Sequence, residues 1–214
     1  MSGKPLEFFK ESLIRRLNAF GVLVEDWHQS EPPFGETFGL ESAEGAARFE
    51  ALVMTEHLVN FRLWHVEDQA RRRDVADAAI ADCKRRIDRL NQKRNDLIEA
   101  VDDCLVELIG QALPESAALT YNTETMGSAL DRLSILSLKI CHMREQTRRS
   151  DASDGHIKSC QAKLEVLEKQ FKGLVQALFH LLDEYSAGKK RPVVYRQFKM
   201  YNDPQLNPAL YENP

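Results

Sequence analysis

Apolar side chains recur every three or four residues along most of the chain, the spacing of amphipathic helices rather than strands. Leu6, Phe9, Leu13, Leu17 and Phe20 share one stripe and predict a helix over residues 4–28. Ser30 to Gly39, with Pro32, Pro33, Gly35 and Gly39, reads as a loop. A second helix is expected from an N-cap at Ser42, turning Phe49, Leu52, Val59, Leu63 and Val66 inward. A break near Arg72–Asp77 opens a third, capped by Asp74 or Asp77 and stopped at Gly110 with Pro114 behind it. The fourth starts around Thr125–Ser128 and runs to about Arg149. Leu130, Leu133, Leu136, Leu138 and Ile140 surround it, so it is expected to be the most buried helix. The fifth opens after Ser153 or Asp154 and ends at Gly188. It repeats Ile157, Cys160, Leu164, Leu167, Phe171, Leu174, Leu178, Leu181 and Tyr185 in bundle spacing, with Glu165–Lys169 and Glu168–Lys172 as expected pairs on its wet face. The fold class predicted is all-α: one bundle of about five long helices over residues 1–188, with an extended tail, 189–214, packed on it.

Composition narrows the class. Only 10 Gly and 8 Pro in 214 residues suit long helices, and 43% hydrophobic with 29% charged residues excludes a disordered chain. No apolar run approaches the ~18 residues of a membrane span. The first twenty residues interleave Lys10, Glu11, Arg15 and Arg16 with their apolar positions, unlike an export signal, so a cytoplasmic location is expected. Cys83, Cys104, Cys141 and Cys160 stand singly, which argues against a disulfide framework or structural zinc. A net charge of -4 argues against bulk nucleic-acid binding.

Function is expected where polar groups sit on faces that packing would make apolar. In the second helix Asn60, Glu67 and Arg71 share a stripe with Glu56 and Leu63, and His57, Trp64 and Asp68 lie on the next. In the third, Arg94 stands among Leu90, Ile98 and Val101, with Asn91 on that face and Asn95 at its edge. In the fourth, Ser128, Arg132, Lys139 and His142 align, with Asp131 beside them. One interpretation is structural: Arg94 pairs with Glu67 or Asp131 and fixes helix register. The other is a ligand pocket between helices. At the start of the fourth helix, Gly127 permits close approach and Ser128 offers a hydroxyl, a setting suited to a phosphate or carboxylate. Arg132 and Lys139 extend a cationic wall from there.

Metal chemistry has less support. His65 with Asp68, or His57 with Glu56, could supply ligands, and Asp88, Glu99, Asp102 and Asp131 could add oxygens, but the Glu-x-x-His signature of di-metal bundles is missing. No metal ligands are assigned; a hydrated Mg²⁺ is the one cofactor compatible with so little trace. His28, His156 and His180 have no partner in the spacing. The tail stretch KKRPVVYRQFKMY could stack on bases, but packing of Val194, Tyr195, Phe198 and Tyr201 on the bundle is the preferred expectation, bringing Arg196 and Lys199 over the pocket mouth.

LVNFRLWHVEDQAR, IDRLNQKRNDLIEAVD, NTETMGSALDRLSILSLKICHM and YRQFKMYNDPQLNPALY resemble the signature blocks of a bacterial domain family of unknown function, from about residue 50 onward. That family tends to occur near glycosyltransferase and surface-polysaccharide genes, which implies a role in surface sugars. A second uncharacterised family of similar context shares a pattern that matches Asn60, Trp64, Glu67, Asp68, Arg71, Asp131, Arg132, Ser134 and Lys139.

The expected function is binding of an anionic, phosphorylated metabolite, such as a nucleotide sugar or sugar phosphate. Asn60, Trp64, Arg71, Arg94, Asn95, Ser128, Arg132, Lys139, His142, Arg196 and Lys199 would line the site. Glu67, Asp68 and Asp131 are the acid/base candidates if the protein is an enzyme. The alternative is a non-catalytic partner or scaffold for a glycosyltransferase, with a homodimer through helix 157–185.

Overall fold

The computed structural model describes residues 4–110, 113 and 120–211, with side chains from Phe9 onward. Five long helices follow in order: α1 (Lys4–Gln29), α2 (Gly45–Gln69), α3 (Asp77–Gly110), α4 (Met126–Thr147) and α5 (Asp154–Ser186). After them come a 3-10 turn at Met200–Asn202 and a short helix, α6 (Pro208–Tyr211). Among the described residues there is no strand, and no helix is long and apolar enough to cross a membrane. The side chain of Leu6 and the stop at Pro114 lie outside what is described.

Local chemistry sets most helix ends. The Thr125 and Ser153 side chains accept from Ser128 N–H and His156 N–H, capping α4 and α5. Gly188 adopts a φ of 66° after α5, the left-handed conformation that favours glycine. The start of α2 differs from expectation. Ser42 sits in a turn with its hydroxyl on Gly39 O, and Gly45 at φ 55° breaks the run, so the helix starts three residues later without a side-chain cap.

The helices pack as two main pairs, α2 with α3 and α4 with α5, and α1 lies chiefly against α4 and α2. The most buried helix is α2, not α4: every residue from Ala51 to Phe61 is buried, so α2 is surrounded on all sides. Its polar residues at those positions masked this in the sequence pattern. The core forms two clusters. Phe9, Leu13, Phe20, Leu105, Leu130 and Tyr185 belong to the larger, and Val24, Trp27, Leu58, Phe61 and Leu138 to the smaller. His57 stacks on Phe20 of the first at 4.1 Å and tilts against Trp27 of the second at 5.1 Å, marking the waist between them.

The apolar stripe of α5 is engaged within the chain. Cys160, Leu178, Leu181, Leu182 and Tyr185 are buried, and Leu164, Leu167, Phe171 and Leu174 are half-buried. The expected wet-face pairs are not formed; Glu168 instead accepts from Arg144 of α4 at 3.1 Å.

Candidate functional site

A hydrogen-bonded network crosses the waist and joins four helices. His57 is fully buried, and burial pushes its pKa down to about 4, so the ring is neutral. Its Nε2 lies 3.1 Å from Phe20 O, a pure acceptor, so Nε2 carries the proton. Nδ1 therefore accepts from the Ser134 hydroxyl at 2.7 Å. Asn60 Nδ2 donates towards Ser134 Oγ and Asp131 Oδ1 at 3.0 Å and Glu56 Oε1 at 2.9 Å. Asp131 takes a two-pronged bond from Arg94, Nε at 2.7 Å and Nη2 at 2.6 Å.

The two carboxyl groups are driven in opposite directions. Burial raises the pKa of Asp131, but the bonds from Arg94, with Glu56 and Asn60, outweigh it and hold the carboxylate below its ordinary value. Complete burial and the adjacent Asp131 push Glu56 well above its ordinary range, so its neutral form is favoured. Glu56 Oε2 has no partner within ordinary bonding geometry. That oxygen is where the retained proton belongs, since Oε1 accepts from Asn60, and the Asp131 carboxylate is the neighbour of this group. Of the alternatives for register, Arg94 thus pairs with Asp131, while Glu67 pairs with Arg71 at 2.6 Å.

Two clefts flank this ion pair and share Arg94 and Ile135 in their linings. The larger, about 810 Å³, lies between α3, α4 and α5 and contains Asn95, Ser128, Asp131, Arg132 and Lys139, with Gln197 from the tail. The smaller, about 440 Å³, contains Asn60, Trp64, Glu67, Asp68 and Arg71. The single site expected from the sequence is thus divided. In the larger cleft Arg132 reaches the exposed Glu124 at 3.2 Å, and Lys139 is exposed with no ion pair among the described residues. His142 belongs elsewhere: it stacks on Trp64 at 4.9 Å and lines an adjoining groove of about 670 Å³ with Lys139 and Val166.

At the start of α4 the Gly127 and Ser128 amides are not free for a ligand anion. Gly127 N–H donates to Asp102 at 2.7 Å, and Ser128 N–H to Thr125 at 3.1 Å. Gly127 is required for a close approach of another kind: a Cβ there would lie 2.5 Å from Ile98 O and 3.0 Å from Asp102. The anion at this helix end is the chain's own carboxylate, whose pKa burial raises to about 6. The other proposed oxygen donors are also separately engaged, Asp88 with Lys84 and Glu99 with Arg196.

The tail crosses α3 through polar contacts. Arg196 bonds Asp103 at 2.7 Å and Glu99 at 3.2 Å, Lys199 donates to Asn91 O at 3.1 Å, and Tyr195 donates to Asn122 O at 2.8 Å. Tyr195, Phe198 and Tyr201 are exposed rather than packed on the bundle, and Arg196 is held away from the larger cleft by its acids.

Sequence reasoning gave His28 no partner, yet its ring lies 5.0 Å from those of both His65 and His142. These residues come from three different helices, so no spacing within one helix could reveal them. Burial, with His28 and His142 nearby, lowers the pKa of His65.

A family model described as "Protein of unknown function (DUF4254)" matches residues 50–194. The chain belongs to the DUF4254 family. The DUF4254 segment contains both clefts' main residues and all six of the network's side chains, Glu56, His57, Asn60, Arg94, Asp131 and Ser134, but excludes α1 and the tail beyond Val194. No curated protein and no solved structure matches the chain.

Proposed function

We propose that the protein binds a small anionic, phosphorylated metabolite in the cleft between α3, α4 and α5. The observation that carries this reading is the cationic wall. Lys139 lacks an ion pair among the described residues, and Arg132 is held only by an exposed carboxylate. Exchanging Glu124 for a ligand phosphate costs little, because an exposed pair is worth ~0–1 kcal/mol. The cleft's 810 Å³ falls in the ordinary range for small ligands, and Ser128, Asn95 and Gln197 add neutral hydrogen-bonding groups. A nucleotide sugar or sugar phosphate of surface-polysaccharide metabolism is the ligand class favoured by the genomic setting that the family resemblance implies.

The reading is one of binding rather than catalysis. Asp131 is tied to Arg94 as a carboxylate, a poor proton donor or acceptor at neutral pH. Glu67 and Asp68 line the other cleft. A second reading, an interaction protein for a glycosyltransferase, has its own support in the exposed Phe198, Met200 and Tyr201 of the tail; co-purification of such an enzyme, lost on truncation after Gly188, tests it.

A thermal-shift panel of nucleotide sugars, nucleotides and sugar phosphates, with and without Mg²⁺, tests the first reading. A ligand at a hundred times its Kd adds ~2.7 kcal/mol, and a domain of this size gains ~2–4 °C per kcal/mol. No shift with any phosphorylated ligand would overturn it.

A further inference from the structure

His28 closes α1, His65 lies in the last third of α2, and His142 lies in the last third of α4. Their rings meet nearly at right angles, with centroids 5.0, 5.0 and 5.6 Å apart, and one ligand atom of each lies within 4.8 Å of the others. Two ring nitrogens of the cluster, His65 Nε2 and His142 Nε2, are shielded from solvent and have no hydrogen-bond partner. An unpartnered buried polar atom carries a desolvation cost and requires a reason.

The protonation of His142 follows from its other nitrogen. Nδ1 lies 3.0 Å from Glu145 Oε2, and a carboxylate only accepts, so Nδ1 holds the proton. Nε2 then presents a lone pair with no donor to meet it. Carboxylate, histidine and a vacant lone pair in line form the arrangement that orients metal-binding imidazoles elsewhere. Packing fixes the rings further: Trp64 stacks on His142 with planes 11° apart, and Phe61 meets His65 edge-on at 4.5 Å.

We propose that His28, His65 and His142 bind one zinc-class divalent transition-metal ion, with Glu145 acting as a positioning residue behind His142. Three imidazoles suit Zn²⁺, Co²⁺, Ni²⁺ or Cu²⁺ and do not suit Mg²⁺, which takes oxygen ligands. Bonds of ~2.0–2.1 Å in a tetrahedron put ligand nitrogens about 3.3 Å apart. The ligand atoms lie within 4.8 Å of one another, so binding draws the rings together by up to about 1.5 Å, with His28, the exposed member, the freest to move. A fourth position remains for water; Glu145, which lies within 4.8 Å of His28 in a second grouping with Cys141, stays on His142 Nδ1. This site is independent of the phosphate cleft, since neither His28 nor His65 lines that cleft.

The test is equilibrium dialysis of the full chain against Zn²⁺, with Co²⁺ absorption spectra reporting coordination. The expected result is one Zn²⁺ per chain and intense visible Co²⁺ bands of a four-coordinate nitrogen site. His28→Ala, at an exposed position, should weaken binding at least tenfold while the metal-free protein still unfolds in one cooperative melting transition. His142→Gln should do the same or more, and Glu145→Gln should weaken it by about 10–100-fold without abolishing it. Zn²⁺ binding well below one equivalent, or full binding retained in His28→Ala and His142→Gln, would overturn the proposal.

Discussion

Replacing Asp131 with asparagine removes the negative charge while leaving Arg94 charged at the waist of the bundle. Breaking a buried pair from one side costs ~3–5 kcal/mol. The Arg94 side chain is 25% exposed and can recruit water, which places the expected loss at about 2–3 kcal/mol. Glu56 provides the control. Its pKa is raised in the folded state by burial and by Asp131. A carboxyl raised on folding contributes stability that is complete below its unfolded value of ~4.3 and lost as the pH rises towards the folded value. Glu56→Gln cannot ionise, and its amide can donate to Asp131 as the protonated carboxyl does. It should match the wild type in mild acid and be at least as stable at neutral pH. In Asp131→Asn the repulsion on Glu56 disappears and Arg94 draws it towards ionisation, recovering part of the loss. The double variant lacks that recovery and should lose more than the two single changes added together. Urea unfolding by circular dichroism at pH 5 and pH 7.5 measures all four proteins. A loss below ~1 kcal/mol in Asp131→Asn at pH 7.5, or an equal loss in Glu56→Gln, would refute this reasoning.

Three further outcomes follow from the same packing. Gly127→Ala forces a Cβ against Ile98 O and should cost at least ~1–3 kcal/mol, read as a fall of several degrees in Tm. Asp102, at about 6 folded against ~3.9 unfolded, loses roughly 2–3 kcal/mol of stability as the pH rises from 4 to 6, while His57, at about 4 against ~6.5, loses stability as the pH falls through the same window. The two oppose each other, so Asp102→Asn should fall off more steeply in acid than the wild type in pH-dependent unfolding; parallel curves would contradict the Asp102 assignment. Truncation after Gly188 removes surface ion pairs and mostly exposed side chains, and should lower stability by less than about 2 kcal/mol by urea unfolding.

The helices were legible in the sequence because burial and period act locally: a stripe such as Ile157 to Tyr185 needs only its own spacing to declare a face. The caps Thr125 and Ser153 fall within the expected starts, around Thr125–Ser128 and after Ser153 or Asp154, for the same reason. The Arg94–Asp131 pair was visible as one of two options, since a guanidinium on an apolar face requires a carboxylate but does not say which. The central place of α2 was hidden because Glu56, His57 and Asn60 look like a wet face until their partners from α1 and α4 are placed. Gly127 was read correctly as a point of close approach, but the approaching anion is Asp102, twenty-five positions away in the chain. The histidine cluster was illegible, since three helix ends must converge before those rings have neighbours.

The central claim, a phosphate-binding wall at Arg132 and Lys139, is tested most directly by calorimetric titration of the wild type and the Arg132→Ala/Lys139→Ala double variant. The titrants are UDP-glucose, GDP-mannose and glucose 1-phosphate, at two salt concentrations. A charged hydrogen bond is worth ~1.5–3 kcal/mol, about 10–100-fold in affinity for each residue. The account predicts one binding site for at least one of these ligands, weakened by salt, and an affinity reduced at least a hundredfold in the double variant with its fold intact. Equal affinity in the two proteins, or no binding of any phosphorylated titrant to the wild type, would contradict it.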